Sequence, residues 1–371
     1  MGNHFVTLQD IARLALPRLS ENLVFPGLIY RDYADELHGM GDVVKVRKPV
    51  LYEAGEFNAQ TGVSYQDMVE DSVDVALNHI ATVDARASAV EAATCIDDLN
   101  RVFVEPAAAA IAEKINSDGL KLYQDVYNCV GTAGTTPSTL AAMAAARKAL
   151  NLAKAPAAGR CAVWDVDADA ALMSLDALVN AEKAGSNEAL REGAIGRVYG
   201  MDNYMSQAVK SHATGITAAT AVKVCGAVTA GATTLSIDGS SLTGKLVKGD
   251  ILTISGKNYV VTEDSGEAST NAISGIKVSP ALPQIADNTD VTLAGSHVAN
   301  LAFHPMAFAY VTRPLANPDG QGVESYVTSF GGLSLRVTRG YDQQYKRSVY
   351  SMDVLYGFKT VYPELAVRVM G

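Results

Sequence analysis

Residues 188–209 read EALREGAIGRVYGMDNYMSQAV, and the role assigned to their glycines decides how the whole chain is read. Gly193, Gly196 and Gly200 stand at a close spacing that suggests a phosphate-gripping loop. No nucleophile, base or metal ligand stands among them in a recognisable arrangement. Glycine also serves wherever a backbone turns tightly or packs at close range, because it lacks the Cβ that disfavours left-handed dihedrals. On that second reading the glycines would be structural.

Upstream of it, Arg160–Trp164 reads as a short buried strand and Ala168–Ala184 as a helix. Ser138–Leu152 is Ala-rich and helical, with Pro137 at its start, where a missing N–H is harmless. From Ile96 to Val126 the apolar residues form one helical stripe; an unbroken helix over 96–127 would span ~48 Å. Pro106 and Gly119 are placed to kink or divide it. Val43–Lys48 alternates as a half-exposed strand, residues 49–71 form a long polar loop or hairpin, and Val73, Val75 and Leu77 begin a strand continuing toward Val83. Residues 1–41, with a short helix at Leu8–Leu16 and breaks at Pro17 and Pro26, read as an extended arm that packs against something.

Downstream the composition shifts. Residues 217–296 hold nine Gly, eleven Thr, a single aromatic, Tyr259, and no obvious helix. Short β-like runs at Thr234–Ile237, Ile251–Ser255, Asn258–Thr262 and Gly275–Val278 mark an inserted all-β module, a small barrel or sandwich. Pro305 starts a helical turn, Leu333–Thr338 and Val349–Phe358 pair as antiparallel strands, and Leu365, Val367 and Val369 close the chain as a strand. The fold class is α+β.

The 371 residues suffice for two or three domains. With 48% hydrophobic and 19% charged residues, the chain is built for packed cores rather than disorder. A net charge of −10 argues against wrapping nucleic acid, which needs clustered Lys and Arg; enclosing it without gripping it stays open. The N-terminus lacks a secretory pattern. The two longest uncharged stretches, Val126–Ala146 and Val291–Thr312, are broken by Pro, Gly and polar residues, so a soluble protein without membrane spans is expected. Cys95, Cys129, Cys161 and Cys225 are dispersed, which predicts reduced, mostly buried thiols and a cytoplasmic origin, with no zinc site and no cofactor.

The most enzyme-like string is AVWDVDADAAL, residues 162–172, where Asp165 and Asp167 follow an apolar strand and could hold Mg²⁺. As a calcium loop it fails, with Ala170 at the position requiring Gly and Asp176 at the position requiring Glu. The simpler reading makes Asp167 or Asp169 the cap of the following helix. GTAGTTPST (131–139) is a surface turn, and His304-Pro305 a packed helix start. The pairs Arg47-Lys48 and Lys346-Arg347 suit a solvated face or intersubunit ion pairs better than nucleic acid. The residues point away from an enzyme.

Taken in order, these parts resemble the major capsid (coat) proteins of tailed phages with the Hong Kong 97-type fold. The 188–209 segment carries the likeness, with LAFHPMAFAYVTRPL (301–315) and SVYSMDVLYGFKTVYPELAVRV (348–369). The β-rich insertion resembles the extra domain of the short-tailed phage branch. The resemblance covers nearly the whole chain, but no single motif is stringent.

The resemblance implies an N-terminal arm (1–41), an extended loop with flanking strands (42–85) and the spine helix of a peripheral domain (86–130). An axial domain (131–216), the inserted β-domain (217–296) and a return to axial domain and peripheral sheet (297–371) follow. It implies pentamers and hexamers of one chain in an icosahedral shell around double-stranded DNA, built with scaffolding and portal proteins and open to a decoration protein. Lys45, Arg47, Lys48, Glu53, Glu56, Lys346 and Arg347 become candidate intersubunit contacts. Some relatives crosslink a Lys to an Asn of another subunit; Lys45 and Lys48 lie near the loop, without further support for that chemistry. Three other readings stand beside it: an encapsulin-like compartment, which should lack the β insertion, a metal-dependent enzyme at Asp165/Asp167, and a carbohydrate-binding β module.

Overall fold

A helix, α1 (Leu8–Asn22), runs through Pro17 instead of ending before it. A proline inside a helix costs about 3 kcal/mol, and burial of Ala12, Ala15, Leu16 and Leu19 along one face offsets it. The expected extended arm is therefore helical over these residues. A computed structural model describes residues 8–31, 43–48, 71–88, 103–180, 191–318, 323–330 and 333–371. The loop expected over 49–71, with Glu53 and Glu56, lies outside them, as does Cys95.

A single turn, α2 (Phe25–Leu28), follows. Strands β1 (Val43–Lys48) and β2 (Asp71–Ala76) pair antiparallel, with Val44 opposite Val75 and Val46 opposite Val73. The expected strand over 73–83 is instead two, because β3 (His79–Ser88) begins after a break at Leu77–Asn78 and takes a different partner. Then come α3 (Glu105–Leu120), β4 (Cys129–Gly131), α4 (Leu140–Leu152), β5 (Arg160–Trp164), α5 (Val166–Met173) and α6 (Asp176–Val179). Pro106 sits in the first turn of α3 and Gly119 in its last, so neither kinks its middle; a 3-10 turn, Lys121–Asp125, carries on from it. The single helix expected over 168–184 is broken where Leu175 turns extended and Asp176 starts afresh, with Leu172 and Leu178 both buried.

The chain continues through β6 (Arg197–Val198), β7 (Met201–Met205), β8 (Ser211–His212), β9 (Ile216–Val224), β10 (Thr234–Gly244), β11 (Ile251–Ile254) and β12 (Lys257–Val261). It ends with β13 (Ala272–Ser279), β14 (Val291–Leu293), β15 (His297–Phe303), β16 (Phe308–Arg313), β17 (Val323–Phe330), β18 (Leu333–Asp342), β19 (Arg347–Thr360) and β20 (Ala366–Met370). The chain is mixed α+β and folds as two compact units.

The first unit draws on Met1–Ser20, Arg31–Ile111 and Ala309–Val361. Its sheet runs β16-β19-β18-β17, with β3 also paired along β19. Alternation sets its faces: Leu333, Leu335 and Val337 are buried, while Arg336 and Thr338 are only partly covered. Gly357 on β19 is required, because a Cβ there would collide with the Ala76 carbonyl.

The second unit draws on Glu21–Tyr30, Ala112–Phe308 and Tyr362–Gly371. Its main sheet follows β4-β20-β15-β5-β7-β6, with β8 on the end of β15. Trp164, Met201, Ala302, Val367 and Val369 form its core with Met143, Ala146 and Leu150 of α4. Phe25 is buried against Phe303 and Phe308, ring centroids 5.5 and 5.7 Å away. Asn116 fixes it there by accepting the Phe25 N–H and donating to the Asn22 carbonyl.

Between β8 and β15 the chain builds a separate six-stranded antiparallel sheet, β14-β11-β12-β13-β10-β9, around its own core of Ile237, Leu252, Val261 and Ile276. Its edges nearly close on each other: Val224 N–H donates to the Thr289 carbonyl, and Lys223 pairs opposite Asp290.

Candidate functional site

Asp165, rather than Asp167 or Asp169, caps α5: its carboxylate accepts the N–H groups of Asp167 and Ala168 at 3.2 and 3.4 Å. Its own N–H donates to Asn300 Oδ1 at 2.7 Å. Asp167 and Asp169 lie in the first helical turn, where negative charge meets the helix dipole. The cap falls before both expected positions because the strand ends at Trp164 and the chain turns at once. Burial, then the nearby Asp165 charge, raises the Asp169 carboxyl above its usual range. Among the described residues no cluster of three His, Cys, Asp or Glu could hold a metal.

Gly193, Gly196 and Gly200 have φ of +66, +70 and +78°, and nothing lies within 4 Å of a Cβ built on any of them. The need is for left-handed backbone, not close packing. The Gly196 carbonyl accepts from the Asn203 side chain at 2.9 Å, and Asn203 Oδ1 accepts from Trp164 Nε1 at 2.9 Å. The turn is thus tied to the buried tryptophan.

Among the basic candidates, Lys45 is exposed on β1, and Arg47 and Lys48 are described only by their backbone pairing with Ser72 and Asp71. Lys346 occupies a left-handed turn position, φ +51°. Arg347 is already engaged, 3.1 Å from Asp342 and 4.5 Å from the Tyr345 ring centre. His304 starts a 3-10 turn (Pro305–Ala307) and accepts the Met306 N–H. Of the three described thiols Cys161 is buried, Cys129 half-buried and Cys225 exposed, which corrects the expectation of mostly buried cysteines.

The most constrained polar cluster was not visible in the sequence. β20 is apolar except for Arg368, which has no exposure. Its Nη1 donates to the Gly249 carbonyl at 2.7 Å; its Nη2 donates to the carbonyls of Tyr123 and Val126. Burial lowers Arg368 to about 10, so it remains a cation at neutral pH. His212 and His297 are register partners on β8 and β15, with ring centroids 5.3 Å apart. His212 Nε2 lies 2.8 Å from Asp250 Oδ1 and its Nδ1 lies 3.1 Å from the Tyr123 hydroxyl. His297 Nδ1 lies 2.8 Å from the Gly295 carbonyl, and its Nε2 faces Arg368 Nη1 at 3.4 Å.

Tyr123–His212–Asp250 has the order of a nucleophile relay. All three are buried, at 4, 3 and 2% exposure, so no substrate reaches them. The cluster acts as a strut, joining the Gly249–Asp250 loop of the β module to β8, β15, β20 and the Lys121–Asp125 turn. Lys248–Asp125 at 3.0 Å and Asn258 donating to the Cys129 carbonyl reinforce the same junction. One sequence signal could have found it: a single arginine in an otherwise apolar closing strand. The histidines and Asp250 are dispersed along the chain and give no motif.

A surface cleft of about 600 Å³ opens beside this junction, lined by Tyr127, Asn128, Lys257, Asn258, Pro280 and Pro283 among others. Its two amides are already bound to backbone carbonyls. The cleft therefore presents aromatic and proline surface rather than a catalytic set.

No protein-family model matches the chain, and no curated protein does. Its fold is similar to that of a solved chain from Mycobacterium phage Che8, with a TM-score of 0.55 over 94% of this chain and 90% of that one, at 17% identity. A chain from the capsid structure of cyanophage P-SCSP1u gives 0.49, covering 89% and 84% at 11% identity. One from the virus-like particle of Pyrococcus furiosus gives 0.42, covering 97% and 98% at 10% identity. The likeness to the phage Che8 chain is one of fold, and bacteriophage capsids recur by name among the weaker structural neighbours. Among the described residues no helix is long and apolar enough to cross a membrane.

Proposed function

We propose that this chain is a major capsid protein, self-assembling into the icosahedral head that encloses phage double-stranded DNA. The observation that carries the reading is the fold shared with the phage Che8 chain over 94% of the length. In this reading the β16–β19 sheet and α3 belong to the peripheral domain of a Hong Kong 97-type subunit. The sheet around Trp164 is its axial domain, and residues 217–296 are an inserted domain like that of short-tailed phages. Pentamers and hexamers form around a scaffolding protein and a portal, with a decoration protein as a further partner. A subunit of charge −10 suits a container that must not adhere to its genome.

The test is electron microscopy of the full chain, purified alone and co-produced with its scaffold. Closed shells or capsomer rings are expected. A strictly monomeric particle under every assembly condition overturns the reading, and spontaneous shells loaded with protein cargo instead of DNA would favour an encapsulin-like compartment.

A further inference from the structure

We propose that the buried His297–Arg368 contact is an acid-sensitive latch, whose protonation releases the β module from the main sheet of its unit. The inference stands apart from the capsid reading, because it concerns the fold of one subunit.

The geometry leaves His297 one place for a second proton. Its Nδ1 lies 2.8 Å from the Gly295 carbonyl, so that nitrogen carries the hydrogen and donates it. Its Nε2 is the acceptor, aimed at Arg368 Nη1 3.4 Å away. Protonation at Nε2 sets an N–H against an N–H and a cation against a cation, at 3% exposure, where water screens little. The titratable and charged groups acting on His297 are Arg368 from β20, His212 from β8 and Asp250 from the module loop, while Tyr123 of the Lys121–Asp125 turn packs on His212. Of these only Asp250 is acidic, and it already serves His212 Nε2 and the Val247 N–H. The Asp250 charge favours a protonated His297 less than burial, Arg368 and His212 disfavour it.

Burial, reinforced by Arg368 and His212, holds His297 at about 4 against an ordinary 6.5. The sign follows. A base whose protonation is suppressed in the closed state but not in the released one takes up a proton on release. The closed state is therefore favoured in full above pH 6.5 and loses its advantage as pH falls from 6.5 toward 4. Across that window the release equilibrium shifts by roughly two orders of magnitude. The contact that yields is the Arg368–Gly249 hydrogen bond, because the same Nη1 that faces His297 Nε2 makes it and moves away from the new charge.

Hydrogen exchange of the unassembled full chain, corrected for the intrinsic pH dependence of amide exchange, tests this. Peptides spanning 246–252 should lose roughly thirtyfold in protection between pH 7 and 4.5 in the wild type. His297→Gln, which cannot take the proton, should lose less than about threefold. A wild type that holds its protection, or a His297→Gln chain that loses as much as the wild type, overturns the latch. Should His297→Gln fail to fold, histidine NMR of the wild type decides. A His297 ring titrating well below 6.5, in step with loss of module protection, supports the latch; one titrating near 6.5 with the module still protected refutes it.

Discussion

Arg368 and Gly249, 119 positions apart, are joined by a 2.7 Å hydrogen bond from the guanidinium to the glycine carbonyl. The final strand of the chain thereby grips a loop of the β module. Replacing Arg368 by Met keeps the apolar stem but leaves the carbonyls of Gly249 and Val126 without their donor, while the Tyr123 carbonyl keeps the Val126 N–H. Unsatisfied buried acceptors cost about 1–3 kcal/mol each, more than the relief from no longer burying a charge. We expect Arg368→Met to lower unfolding free energy by about 3 kcal/mol or more, read by urea titration. A change below about 1 kcal/mol would show that the cluster is not a strut.

The cap assignment separates two neighbouring aspartates. Asp165→Ala removes the acceptor for two helix N–H groups and should destabilise by about 1 kcal/mol. Asp167→Ala removes only a charge near the helix start, and should stay within a few tenths of a kcal/mol. Asp165→Asn should restore most of the loss. Thermal unfolding of the three variants checks the order, and equal effects of the two alanines would reverse the assignment.

Thiol chemistry gives an independent probe of the second unit. Burial raises both Cys129 and Cys161 to about 11, so at pH 8 only roughly one part in a thousand is thiolate. Cys225 is exposed. Iodoacetamide at pH 8, followed by peptide mapping, should label Cys225 within minutes, and Cys129 and Cys161 only after denaturation. Raising the pH toward 11 increases the thiolate fraction at these two sites tenfold per unit. Rapid labelling of Cys161 in the native chain would contradict the buried placement of β5.

How much of this was legible beforehand follows from what each element answers to. β5, α4, β11 and β12 answer to local periodicity and were placed within a few residues. By contrast, β9 and β14 had no counterpart in the expected runs, and β10 continues past Ile237 to Gly244. α1 continued past Pro17 because burial of Leu19, a tertiary effect, outweighed a local penalty. The break at Leu77–Asn78 was invisible because both halves keep the same period of two and differ only in their partner strand. The glycines of 193–200 were expected to serve a tight turn and close packing; each has a left-handed φ, and the space at each Cβ position is open. The Arg368 cluster draws on five segments brought together by topology, and no local pattern encodes that.

The same distinction between dihedral need and close approach makes two glycines of the β module behave differently. Gly244 has φ +96°, and a Cβ there would drive into the carbonyl of Gly215, just ahead of the neighbouring strand β9. Gly256 has φ +75° in a hairpin turn, with nothing within 4 Å of its Cβ position. Left-handed backbone alone costs an L-residue about 1–2 kcal/mol, and Asn tolerates it better than most. Overpacking against rigid backbone adds about 1–3 kcal/mol more. Gly256→Asn should therefore lower the module's stability by about 1 kcal/mol or less, whereas Gly244→Ala should cost about 3 kcal/mol and expose amides of β9 and β10. Hydrogen exchange of peptides across Ile216–Val224 and Thr234–Gly244 reads both. If Gly244→Ala kept wild-type protection there, the approach of the two strands at Gly215 would have to be looser than described, since no rotamer change can move a carbonyl aside.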